Sequence, residues 1–167
     1  MKRIPIVVAA LLAASTAPAL AAMSDQEFVT TAANGGLYEF NSGLFATTAA
    51  ADPRVKALAH KIVEDHTDIN AELDVVAKRE NLRVPYMMDN DHDAMVRKLQ
   101  STQLDGSATQ VQQLFLQQQK KAHDDAVSLF ERYASEGTNV RLKDFAAASL
   151  PMLRSHQKAI DKLTGSR

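Results

Sequence analysis

Apolar residues recur every three to four positions through most of this chain, and this spacing constrains the fold more than any other feature. A period near 3.6 places such residues on one face of an α-helix, whereas a half-buried strand would alternate apolar and polar residues. Strand-like alternation is hard to find in the sequence. We therefore predict an all-α fold. The clearest helical stripe consists of Val55, Leu58, Ala59, Ile62, Val63, Ile69, Leu73, Val76 and Ala77.

Four long helices account for most of the periodic sequence, and capping patterns set their bounds. Ser24, with Glu27 three residues later, has the pattern of a capping box at the first helix. Asp52 before Pro53 predicts the start of the second helix. Pro151 inside the fourth helix predicts a kink. The predicted helices cover residues 25–50, 53–80, 109–135 and 140–163.

The link between the second and third long helices, residues 81–108, is too long for a hairpin turn. It contains Val84-Pro85, a polar start at Asp89 and a short amphipathic stretch that ends near Leu99. The other two links are short and predict antiparallel helix pairs. We therefore expect residues 23–167 to form an antiparallel four-helix bundle of the ferritin-like type. Its long crossover would contain a short helix.

Residues 1–22 have the pattern of a secretory signal peptide. Lys2 and Arg3 form a short basic region, residues 4–14 are apolar, and Ala19-Leu20-Ala21 is a small-x-small cleavage site. The apolar run is shorter than the ~20 residues that a transmembrane helix requires. We expect cleavage near Ala21 or Ala22, a mature chain without a transmembrane anchor, and a periplasmic or secreted location. An uncleaved anchor is the alternative.

Composition excludes several classes of function. The chain has no cysteine, which rules out disulfides, zinc–thiolate sites and cysteine nucleophiles. Without Lys2 and Arg3, 17 of the 19 basic residues remain against 20 acidic ones, so the net charge is −3. Such a surface lacks the excess of positive charge with which proteins bind nucleic acid. A homodimer or a protein partner stays open, because the first helix is apolar nearly all round.

Short motifs in order along nearly the whole mature chain resemble those of one protein family. They are Glu27-Phe28-Val29, Ala32-Ala33-x-Gly35-Gly36-x-x-Glu39, Asp65-His66, Val84-Pro85, His123 with Ala126-Val127-x-Leu129-Phe130-Glu131, Leu142-Lys143-x-Phe145-Ala146 and Leu150-Pro151-x-Leu153-x-x-His156. In these motifs the chain resembles the DUF4142 family of exported bacterial proteins. The resemblance implies a ferritin-like fold and export, and it implies no activity. One departure is Gln112, where such proteins often carry an acid.

One glutamate and three histidines lie on or beside the apolar stripes, one on each long helix: Glu39, His66, His123 and His156. With about 100° of rotation per residue, His66 lies near the centre of its stripe and His123 at the edge of its own. With a rise of about 1.5 Å per residue, Glu39 and His66 lie at the same level. The same estimate puts His156 about one turn too far along.

Two interpretations of these four residues remain open. Three imidazoles and a carboxylate suit one Zn, Cu or non-haem Fe ion, with Glu39, His66, His123 and His156 as ligands. The same groups can instead form a buried structural network, because a Glu–His pair gives a buried charge its partner. The protein is then either an exported metal-binding bundle or a non-enzymatic interaction or stress-protection protein.

Catalytic chemistry has little support in the sequence. A di-iron centre of the bundle type needs Glu-x-x-His motifs on two helices, and the sequence has none. A Gly-x-Ser-x-Gly elbow and a Gly-rich phosphate loop are also absent. We therefore predict no catalytic residue and no organic cofactor, and an enzyme is the least favoured class.

Two polar segments of the sequence are expected to be solvated. The first is the Gln-rich face of the third long helix, which comprises Gln112, Gln113 and Gln117 to Gln119. The second is the group of acids around His92, which lacks the Gly and Glu that an EF-hand loop requires at its sixth and twelfth positions.

Overall fold

The computed structural model describes residues 23–165, and all the regular structure in that range is helical, so the all-α prediction is confirmed. The predicted signal peptide lies outside the described residues. Among the described helices, none is long and apolar enough to cross a membrane. The helices are α1 (Asp25–Ala49), α2 (Pro53–Arg79), α3 (Asn90–Asp105), α4 (Ala108–Glu136) and α5 (Val140–Thr164).

Polar side chains cap the N-termini of the helices at the positions that the sequence predicts. The Ser24 hydroxyl accepts a hydrogen bond from the Glu27 N–H over 3.2 Å. Asp52 caps α2 by accepting from the Arg54 N–H over 2.8 Å. These bonds satisfy N–H groups that the first turn of a helix leaves without partners. The ends of the four long helices fall within one residue of the predicted bounds.

The link between α2 and α4 contains more helix than predicted. The sequence indicates a short amphipathic stretch that ends near Leu99, but α3 continues to Asp105. Asp89 begins this helix by accepting a hydrogen bond from the His92 N–H over 2.9 Å. Val96 and Leu99 are its buried residues. The predicted helix is too short because the apolar residues that mark it end at Leu99. The last turns of α3 are solvated and continue to Gly106.

The four long helices contact one another in a ring. α1 packs against α2 and α4, and α5 packs against the same two helices, while α3 lies against α1 and α4. Two clusters of buried apolar side chains form the core. One contains Phe28 and Phe145, and the other contains Ile62 and Phe115. On each long helix, one or more buried polar residues come between the parts that belong to the two clusters, among them Glu39, His66, Gln119, His123 and His156.

The buried face of α4 includes Gln119, so the expectation of a fully solvated Gln-rich face is wrong for that residue. That side chain is 0% exposed. Large side chains decide the orientation of the helix, because Val127 and Phe130 remove more apolar surface from water than Ala122 and Ala126 do. This rotation also carries His123 from the edge of the stripe into the interior.

Candidate metal centre

The structure brings the four predicted residues into one buried cluster. Glu39 on α1, His66 on α2, His123 on α4 and His156 on α5 are each at most 2% exposed. One ring nitrogen from each of the three histidines forms a set in which all atoms lie within 4.8 Å of one another. The interior therefore holds three imidazoles close enough to bind a single ion after small movements.

His156 lies level with the other histidines, although a count of residues puts it too far along α5. His123 and His156 differ by about three residues in their distance from the α4–α5 link, or about 4.5 Å of helix. A helical side chain leans toward the N-terminus of its own helix. On the antiparallel pair α4 and α5 the two rings therefore lean in opposite directions along the axis, which closes the gap.

The rings of His123 and His156 face each other through one nitrogen each. His123 Nε2 lies 3.1 Å from His156 Nδ1. The other nitrogen of His123, Nδ1, lies 3.1 Å from the backbone carbonyl of Gln119, one turn earlier on α4. The other nitrogen of His156, Nε2, lies 2.8 Å from Asp65 Oδ2. Each ring thus has one nitrogen toward the cluster and one toward a fixed acceptor.

Those outer contacts decide where the protons lie. A carbonyl oxygen and an ionised carboxylate accept hydrogen bonds and donate none. The two contacts therefore favour His123 Nδ1 and His156 Nε2 as the protonated nitrogens. In a neutral imidazole the other nitrogen then carries a lone pair. In this pair of tautomers the two lone pairs meet across 3.1 Å, where a shared cation would stabilise them.

A proton is a poor candidate for that cation at neutral pH. Burial and the neighbouring His156 lower the pKa of His123 to about 3. Burial also lowers the pKa of His156. Two nitrogens bound to one tetrahedral zinc ion at ~2.0–2.1 Å would lie about 3.3 Å apart. The observed separation is close to that spacing, so the pair suits two ligands of one ion.

His66 is buried without a hydrogen-bond partner at either ring nitrogen. Its Nε2 lies 3.2 Å from Glu39 Oε2, a contact that lacks the geometry of a hydrogen bond. Burial, followed by the nearby His123 and His156, lowers the pKa of His66 well below the usual value. His66 is therefore a neutral imidazole whose unprotonated nitrogen is available to an ion. An unsatisfied buried group of this kind costs about 1–3 kcal/mol.

Glu39 contacts two of the histidines. Its Oε2 lies 3.2 Å from His66 Nε2, and its Oε1 lies 3.2 Å from His123 Nδ1. Burial raises the pKa of the carboxyl to about 8, so its acid form is favoured at neutral pH. A nearby cation would reverse that preference, because opposite charge stabilises the ionised form. Glu39 lies outside the set formed by the three ring nitrogens, so its carboxylate would have to move as well as ionise to join them as a ligand.

Comparison with protein families finds one match that covers nearly the whole chain. The family is described as a domain of unknown function, DUF4142, and its profile matches residues 10–163. The chain belongs to the DUF4142 family. The resemblance read from the motifs is confirmed. Comparisons of this DUF4142 chain with the curated proteins and with the solved structures found no match.

Sequence reasoning missed two residues that position the rings of this DUF4142 protein. Asp65 precedes His66 on α2, yet it holds His156 of α5 and also pairs with Lys61 over 2.6 Å. Gln119 supplies the carbonyl that faces His123, and its side chain donates to the Ser42 hydroxyl over 2.9 Å. A search for polar groups one turn before each histidine would have found Gln119, because positions i and i+4 share a helix face. Asp65 offered no such local signal.

The other polar group considered from the sequence lies at the start of α3, and its His92 lines the same cavity as Glu39 and His66. Asp89 accepts from the His92 N–H as the cap of α3, and its carboxylate also lies 2.8 Å from His92 Nδ1. The acids around His92 thus begin a helix, as expected.

Proposed function

We propose that this DUF4142 protein binds one transition-metal ion in its interior, with Glu39, His66, His123 and His156 as ligands. The main support for this proposal is the arrangement of the three histidine rings. Two ring nitrogens face each other across 3.1 Å, and the contacts of the outer nitrogens with Gln119 and Asp65 favour a lone pair on each. Beside them, His66 has no other partner for its nitrogen atoms. A metal ion would satisfy all three imidazoles at once.

The donor set limits the choice of ion. Three neutral imidazoles and one carboxylate suit zinc, copper or non-haem iron. A hard ion such as calcium prefers six to eight oxygen ligands, and this cluster offers one carboxylate. Four protein ligands would close a tetrahedral site. That favours holding the ion over catalysis with it.

Export and a ferritin-like arrangement belong to the same proposal. The basic, apolar and small-x-small pattern of residues 1–22 supports a cleaved signal peptide and a periplasmic or secreted location. The ring of α1, α2, α4 and α5, with a long link between α2 and α4, supports an antiparallel four-helix bundle with one crossover.

One observation favours a second function, in which the cluster is only structural. The contacts from Gln119 through His123 and His156 to Asp65 form a continuous chain. With one additional proton on the two rings, every contact in this chain is a hydrogen bond. The protein would then act through a partner, as a non-enzymatic interaction or stress-protection protein. This alternative leaves both nitrogens of His66 unsatisfied.

Metal analysis of the tag-free mature protein tests the proposal. The variants are His66→Ala and, as a matched control, His60→Ala, because His60 is an exposed histidine on the same helix. We expect about one ion per chain in the wild type and in His60→Ala, and none in His66→Ala. A chelator should lower the melting temperature of the first two only. Failure to bind zinc, copper or iron when each is offered would contradict the proposal.

A further inference from the structure

A cavity of about 170 Å³ lies mainly between α1 and α4 and reaches the histidine cluster. Thr31 and Asp125 are its exposed lining residues and mark where it meets solvent. Glu39, His66 and Leu153 are buried and mark its inner end. The space therefore forms a path from the surface to two polar groups in the interior.

Gly35 opens this cavity. A Cβ atom added at Gly35 would meet no other atom within 4 Å. The next glycine differs, because a Cβ at Gly36 would lie 2.0 Å from Asn70 Oδ1. Gly36 makes room for the Asn70 side chain of α2, whereas Gly35 leaves room that no neighbour fills. A glycine in a helix interior costs roughly 0.5–1 kcal/mol relative to alanine. The glycine that leaves this space therefore makes α1 less stable than an alanine would.

The walls are mostly apolar; besides the polar groups at the two ends, the half-buried His92 of α3 also lines the cavity. The wall residues are Ala32, Ile69, Ala122, Ala126, Leu129, Phe130 and Leu153. The inner end carries His66, whose nitrogens lack hydrogen-bond partners, and Glu39, whose Oε1 lacks one too. The lining includes no lysine or arginine that would neutralise an anion.

We propose that this cavity binds a small uncharged molecule of about one ring that carries a hydroxyl group, with the hydroxyl against His66 and Glu39. A cavity of about 150 Å³ holds benzene, so this one fits a phenol-sized molecule. A hydroxyl suits the inner end, because it donates one hydrogen bond and accepts others at a single atom. The apolar walls would cover the ring.

This site goes beyond the proposed metal centre and does not depend on it. An imidazole has two nitrogens that point in different directions, so His66 can face an ion with one and a cavity ligand with the other. The test therefore uses chelator-treated protein. Failure of the metal proposal would leave its result unchanged.

Phenol, which is uncharged at neutral pH, is the probe, and ¹⁵N shifts of the histidine rings are the readout. We expect saturable binding that moves the signals of His66 and leaves those of exposed His60 in place. Benzoate has the same ring and a negative charge, and it should bind at least about tenfold more weakly because Glu39 and Asp125 are acidic and no lysine or arginine lines the cavity. Phenol that does not saturate, or benzoate that binds equally well, would overturn the proposal.

Two variants that fill the space identify the site. Gly35→Leu from α1 and Ala126→Leu from α4 should each weaken phenol binding at least about tenfold by occupying the ring position. Gly35→Ala is the matched control, since it changes the same residue and leaves most of the space. Melting curves show which of the two leucine variants remains folded. A folded leucine variant that binds phenol as the wild type does would contradict the assignment.

Discussion

His156 donates a hydrogen bond from Nε2 to Asp65 Oδ2 over 2.8 Å, and this bond turns the other nitrogen of the ring toward His123. Asp65 is the neighbour of His66 in sequence, so α2 supplies both a candidate ligand and the carboxylate that orients a second ligand on α5. Metal-bound imidazoles usually have such a carboxylate or carbonyl at the second nitrogen. Gln119 has the same relation to His123.

Removal of the Asp65 carboxylate should weaken metal binding. In Asp65→Ala we expect the affinity for zinc to fall roughly 10–100-fold, because the tautomer and angle of His156 are no longer fixed. Competition with a chromophoric chelator measures the affinity. Asp68→Ala is the control, since Asp68 is an exposed acid on the same helix. Equal affinities in the two variants would show that Asp65 does not position His156 for an ion.

The stability of the metal-free protein should have a maximum near pH 6.5. Burial lowers the pKa values of His66, His123 and His156, so as the pH falls below 6.5 the unfolded chain takes up protons that the folded protein does not. The free energy of unfolding then falls. Burial raises the pKa of Glu39 from 4.5 to about 8. Between those values the folded protein retains a proton that the unfolded chain has lost, so Glu39 makes stability fall as pH rises.

The two effects combine differently on the two sides of pH 6.5. Between about pH 4.5 and 6.5 the buried histidines outweigh Glu39, so the free energy of unfolding should rise with pH. Between pH 6.5 and 8 Glu39 acts alone, and stability should decline more gently. Urea unfolding of chelator-treated protein across this range measures both limbs. Glu39→Gln should remove the decline above pH 6.5, and a decline that persists in this variant would assign it to another group.

Metal binding should release a proton from Glu39. The carboxyl has a pKa of about 8 before the ion binds, and it must ionise to serve as a ligand. The histidines are already neutral at pH 7 and contribute little. Calorimetry in buffers of different ionisation enthalpy should therefore show nearly one proton released per ion at about pH 7. Glu39→Gln should release almost none. The same release in both proteins would mean that Glu39 is not a ligand.

Much of the fold could be predicted from the sequence because local chemistry determines it. Ser24 and Asp52 mark helix starts through bonds to their own first turns. The burial of Glu39, His66 and His156 follows from helical periodicity alone. Such features involve residues within a few positions of one another.

The missed features depend on contacts between helices. Asp65 orients His156 only because the packing of α5 brings the two side chains to 2.8 Å. The spacing of residues on α2 does not predict this contact. Gln119 is buried because Val127 and Phe130 rotate α4, which is a competition among side chains over the whole helix. The length of α3 escaped prediction because its last turns are helical without an apolar stripe.

Two glycines of α1 should respond to alanine in opposite directions. Gly35→Ala should raise the free energy of unfolding by about 1 kcal/mol, because the new Cβ meets nothing within 4 Å and helix propensity improves. Gly43→Ala should lower it, because its Cβ would lie 3.1 Å from Val63 Cγ2 and 3.3 Å from the Ala59 carbonyl oxygen. Urea unfolding compares the two. A gain in both would mean that α1 can move away from α2 without loss.

Anomalous scattering from crystals of the tag-free mature protein, grown with zinc and collected on both sides of the metal absorption edge, tests the central claim most directly. We expect one strong peak at about 2.0–2.1 Å from a nitrogen of each of His66, His123 and His156, with Glu39 as the remaining ligand. An ordered cluster without a peak, or zinc found only at surface groups such as Asp89 and His92, would contradict the claim. The four residues would then be a structural network.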